Sequence, residues 1–128
     1  MEQEHYHLED SRVLDFTVSL FNTLAEKARK TNEEICGFIL KSGEIVECDN
    51  IAEDKIETWM IDPLHFLKYK KEIEAIYHSH PSGGEPSAED KIGCTRINIP
   101  FLVVSLPSTL YYITPKEESC LQFDFTDI

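Results

Sequence analysis

The chain has 128 residues, 41% of them hydrophobic, and a formal net charge of −12. That length suits one domain with a real core, residues 1–128, and is too short for two. The acidic balance argues against nucleic acid, whose phosphates need Lys and Arg, and suits solubility or a partner with a basic face. No apolar run approaches a membrane span, and the N-terminal MEQEHYHLED is acidic and polar rather than a signal sequence, so no membrane partner is expected.

Residues 1–10 are expected to be a flexible N-terminus. Their His5 and His7 form a His-x-His pair with nothing nearby to complete a ligand set. Over 11–30 the apolar residues Val13, Phe16, Leu20, Phe21, Leu24, Ala25 and Ala28 recur at helical spacing. Thr31 and Asn32 end that helix. Residues 34–40 read as an apolar strand, Ser42 and Gly43 as a two-residue turn, and 44–48 as the returning strand of a hairpin. A polar connection over 49–55 leads to an expected short strand at 57–61. Asp62 and Pro63 fit an N-cap and N1 pair opening a helix to about residue 74, with His65 as an ordinary helix residue. A strand over 75–80, a short helix over 87–95, and strands at 101–105, 110–113 and 121–125 follow. Strands and helices mix without a regular β-α-β repeat. The expected class is α+β: an α-β-α sandwich whose mixed, largely antiparallel sheet is flanked by helices. Cys36, Cys48, Cys94 and Cys120 are far apart with no C-x-x-C, which fits free thiols in a cytoplasmic protein.

The stretch from His78 to Asp90, HSHPSGGEPSAED, organises the rest. Residues i and i+2 of a strand share a face, so His78 and His80 can reach one ion. Pro81, Gly83, Gly84 and Pro86 then make a turn. Ser87-Ala-Glu-Asp90 reads as the first turn of a helix, which brings Asp90 back beside the histidines. Each piece alone has an ordinary reading: a solvated or core histidine pair, a plain turn, and a capping box between Ser87 and Asp90. All three in order within thirteen residues instead make a zinc set of two imidazoles and a carboxylate, with a fourth position open to water.

Glu34-Ile-Cys-Gly37, His78-Ser-His-Pro81 and Ser87-Ala-Glu-Asp90 together resemble the JAMM (MPN+, JAB domain) metalloprotease signature, a Glu, then H-x-H-P, then S-x-x-D. The segment Ile99 to Pro107, IPFLVVSLP, most resembles the prokaryotic and phage tail assembly members. One departure is that five residues, 82–86, separate the Pro and the Ser where the family usually has six. Gly83 and Gly84 widen the backbone angles open to that shorter loop.

The resemblance implies a cytidine-deaminase-like JAB/MPN fold and one catalytic zinc on His78, His80 and Asp90. It implies Glu34 as the general base that holds the attacking water, and the Ser87 hydroxyl as a donor to the developing oxyanion. Glu85 and Glu89 read as solvated. The implied activity is peptide or isopeptide hydrolysis on a protein or peptide substrate, at the C-terminal tail of a ubiquitin-like protein. The alternatives are phage or prophage tail assembly proteolysis, where the domain is commonly joined to an NlpC-type cell-wall peptidase, and an inactive MPN scaffold, against which the full ligand set argues.

Overall fold

A computed structural model describes residues 11–116 and 120–125 of the chain, with side chains from Phe16 onward. In chain order the elements are α1 (Ser11–Ala28), β1 (Cys36–Leu40), β2 (Ile45–Cys48), α2 (Pro63–Tyr69), β3 (Ile73–His80), α3 (Ala88–Ile97), β4 (Phe101–Ser105), β5 (Thr109–Ile113) and β6 (Cys120–Asp124). The strands form one six-stranded sheet in the order β2-β1-β3-β4-β5-β6. Only β3 and β4 run parallel. A parallel pair needs a crossover, and α3 supplies it.

Strand β3 is buried from Ala75 to Ser79, which requires cover on both faces. On one face Leu20, Phe21, Leu24 and Ala25 of α1 pack on Ile39, Ala75, Tyr77, Leu102 and Val104. Phe21 also stacks on Phe125, with ring centroids 4.6 Å apart. On the other face Cys94 of α3 packs with Phe38, Ile76, Phe101 and Val103, with Phe66 and Tyr69 of α2 against them. The helices thus flank a mixed sheet on both sides, and the expected α+β layering is observed. Gly37 pairs with Tyr77 across β1 and β3. A Cβ there would sit 2.6 Å from the Tyr77 ring and hydroxyl, so the glycine makes room for that ring.

Three expectations are corrected. The segment 57–61 forms no strand. Its backbone bonds instead to the Asn50 side chain, through Thr58 O and Met60 N, so no partner strand is needed. Helix α2 opens on Asp62, whose Oδ1 accepts from Leu64 N at 2.9 Å, but it stops at Tyr69 rather than near 74. Ile73 is taken by β3, where it pairs with Leu40. Glu34 and Ile35 precede β1 rather than lying in it. Residues 1–10, with His5 and His7, lie outside the described part of the chain.

Candidate metal centre

The site lies at the C-terminal end of β3. His78 pairs with Cys36 on one side and Val103 on the other, and His80 follows on the same face. After Pro81 the chain turns on Gly83 and Gly84, with φ of 84° and 103°, a region in which only glycine is unstrained. Gly83 N donates to His80 O at 2.9 Å, and the buried Ser105 hydroxyl donates to Gly84 O at 2.7 Å. The loop delivers Ser87 as the N-cap of α3. Ser87 Oγ accepts from Asp90 N at 3.0 Å, and Ser87 N donates to Asp90 Oδ2 at 2.9 Å. This reciprocal capping box fixes the Asp90 carboxylate. It lies against both imidazoles, Oδ1 2.9 Å from His78 Nε2 and Oδ2 3.2 Å from His80 Nε2.

These residues fit a metal ion. The His78 ring is fully buried, yet neither of its nitrogens has a hydrogen-bond partner among the described residues. Nε2 is close to Asp90 Oδ1, but not in the alignment of an N–H···O bond. An orphaned buried polar atom costs about 1–3 kcal/mol, and a cation between His78 Nε2 and the Asp90 carboxylate would remove that cost at Nε2. Bonds of about 2.0–2.1 Å in a tetrahedron put neighbouring ligand atoms about 3.3 Å apart, close to both observed contacts. Glu34, His78 and His80 also each present one donor atom within 4.8 Å of the others, close enough to hold an ion.

Burial sets the protonation states. It lowers the His78 imidazole below its ordinary value, against the pull of Asp90, and so favours the neutral ring that a metal requires. His80, more open to solvent, is raised by Asp90. Burial pushes the Asp90 carboxyl up, but the approach of His78 and then His80 holds it well below the usual carboxylate range. Glu34 is 7% exposed. Burial raises it to about 7, with His80 opposing and Asp90, Glu57 and Asp54 adding to the rise.

The cluster opens into a cleft of about 560 Å³ lined by Glu34, Trp59, His80, Ser87, Asp90 and Phe101, among others. Glu57, Glu85 and Glu89 line it as well. All three are exposed, as expected for the latter two. Trp59 stacks on His78, centroids 4.9 Å apart and rings 21° from parallel, and Phe101 meets the same ring edge-on at 5.9 Å. Ser87 is both cap and cleft wall. The cap uses one lone pair of its oxygen and leaves the O–H proton to donate.

The structure therefore brings Glu34, His78, His80, Ser87 and Asp90 to one place. Trp59, Asn50 and Ser79 were not legible as site residues. The alternation that pairs His78 with His80 sends Ser79 to the other face, and Trp59 reaches His78 only because the loop before it folds over. The four cysteines are free. No helix among the described residues is long and apolar enough to cross a membrane. Compared with models of known protein families and with curated proteins, the sequence matches none.

Proposed function

We propose that this chain is a zinc-dependent metallopeptidase of the JAMM/MPN+ type with a JAB fold, cleaving peptide or isopeptide bonds at the flexible tail of a ubiquitin-like protein. The observation that carries this reading is the convergence of His78, His80 and Asp90 beside the buried Glu34, at the wall of an open cleft. The His-His-Asp set suits zinc.

A zinc ion held there would supply Lewis acidity to the scissile carbonyl and lower the pKa of a water to about 7. His78 and His80 offer imidazole lone pairs, and Asp90 offers a carboxylate already oriented by the helix cap. Glu34 takes the proton of the attacking water and returns it to the leaving amine. The Ser87 O–H donates to the carbonyl oxygen as negative charge builds there. Trp59 and Phe101 keep bulk water off His78.

A polypeptide substrate is favoured over a small molecule by what adjoins the cleft. An apolar groove of about 320 Å³ shares Trp59 and Ile97 with it. Met60, itself exposed, lines that groove, and an apolar groove beside the cleft suits the side chains of an extended polypeptide. Free thiols accord with a reducing compartment such as the cytoplasm. The closeness of Glu34 to both histidines favours a second reading, in which Glu34 is itself a ligand.

Metal analysis of the purified protein, with cleavage profiling on tagged ubiquitin-like fusions and a peptide library, tests the proposal. Close to one equivalent of zinc and cleavage after small residues such as Gly, whose backbone can approach the ion closely, are expected. A His80→Ala variant that binds zinc as well as the wild type would refute the assignment, and preference for bulky residues before the bond would refute the substrate class.

A further inference from the structure

Glu34 and Ile35 precede β1, so no regular ladder holds them, yet all four of their backbone polar groups are paired. Glu34 N donates to Lys55 O at 2.8 Å. Glu34 O accepts from Asn50 Nδ2 at 2.9 Å. Ile35 N donates to Ser79 Oγ at 2.9 Å, and Ile35 O accepts from Ser79 N at 3.1 Å. Two of the four partners are side-chain atoms, from residues 16 and 44 positions away.

Asn50 does more than hold Glu34. Its Nδ2 also donates to Thr58 O at 2.9 Å and, more weakly, to Lys55 O at 3.4 Å. Its Oδ1 accepts from Ala52 N and Met60 N, both at 3.0 Å. Thr58 and Met60 flank Trp59, the residue stacked on His78. One carboxamide thus fastens the Glu34 segment to the wall that covers the metal cluster. Ser79 completes the arrangement from β3. It stands between the two histidines, points to the opposite face and is fully buried. Its hydroxyl has no solvent to serve and bonds the residue next to Glu34.

We propose that Asn50 and Ser79 are positioning residues that hold the Glu34 carboxylate against His78 and His80. The inference rests on the reading of Glu34 as general base. A displacement of about 1 Å in such a group can cost 10²-fold in rate, so the pinning has a functional consequence beyond stability.

The test uses two substitutions and two measurements. Ser79→Ala removes the acceptor for Ile35 N and keeps the Ser79 N donor. Asn50→Asp keeps the acceptor for Ala52 and Met60 but turns an oxygen toward the Glu34 and Thr58 carbonyls. Amide hydrogen exchange on the zinc-free protein needs neither substrate nor metal. In the wild type the Glu34 and Ile35 amides should be protected although they lie outside a strand. In Ser79→Ala the Ile35 amide should exchange about tenfold faster, with β4 and β5 amides unchanged. In turnover assays on the zinc-loaded protein, both variants should lower kcat by about 10–100-fold with KM little changed. In a Glu34→Gln background they should lower it no further, because they act through Glu34.

Equal losses with and without Glu34 would overturn the inference, as would unchanged exchange at Ile35. If Asn50→Asp does not fold, Ser79→Ala carries both measurements. Faster Ile35 exchange in Ser79→Ala, with a wild type that is protected there but cleaves nothing, would sink the peptidase reading and leave the pinning intact. Turnover with unaltered exchange would do the reverse.

Discussion

Toward α1, strand β3 presents Ala75, Tyr77 and Ser79, and toward α3 it presents Ile76, His78 and His80. The first face is closed. Leu24 and Ala25 are wholly buried there, and burial pushes the Tyr77 hydroxyl above its ordinary range. The second face starts the same way, with Ile76, Phe101, Val103 and Cys94, and two residues further along the strand, at His78, becomes a cluster of imidazoles and carboxylates at a cleft. One strand builds both because side chains alternate. Desolvation that stabilises an apolar core also favours the neutral His78 ring and leaves its nitrogens without partners, so the site is an extension of the core with its last layer replaced by candidate ligands. The two faces should therefore respond differently to substitution.

The largest expected effect is on the closed face. Leu24→Ala should destabilise the fold by about 2–5 kcal/mol and leave the zinc stoichiometry of the folded protein unchanged. Denaturant unfolding with metal analysis checks both. If metal were lost from protein that remains folded, the faces would not be separable.

Ser87→Ala acts on the open face. It should cost about 10²–10³ in turnover and about 1 kcal/mol of stability from the lost cap, with zinc retained. Unchanged turnover would mean that the five-residue loop holds Ser87 as a cap alone.

Gly37→Ala probes the sheet between the faces. The added methyl meets the Tyr77 ring and the Val46 carbonyl. A loss of about 1–3 kcal/mol is expected from overpacking, visible as a lower unfolding midpoint. No loss would show that Tyr77 can move away freely.

The two faces also differ in how far the sequence reveals them. The closed face was legible because α1 and β6 announce themselves by period and β4 by its continuous apolar run. The hairpin, the Asp62–Pro63 helix start and the Ser87–Asp90 cap follow from short-range chemistry, and the metal cluster from alternation in β3 followed by that cap. The segment 57–61 was misread because its apolar residues suggest a strand while its hydrogen bonds come from Asn50, several residues upstream. The end of α2 was misread because Ile73 fits helical spacing and strand burial equally well. Trp59, Asn50 and Ser79 act through contacts between distant segments, and no local pattern marks them.

In the proposed mechanism Glu34 moves a proton beside an ion it does not hold. Glu34→Gln tests it most directly, with zinc content and turnover measured on the same preparation. Glutamine keeps the size and hydrogen bonding of the side chain but cannot accept the proton. The exposed Glu33, one residue away with its own N–H bonded to Thr31 Oγ1 at 3.1 Å, is the matched control. The expected result is one retained equivalent of zinc in both variants, a fall in turnover of about 10² or more for Glu34→Gln, and none for Glu33→Gln. Loss of zinc from Glu34→Gln would make Glu34 a ligand, and full turnover with zinc bound would contradict the mechanism.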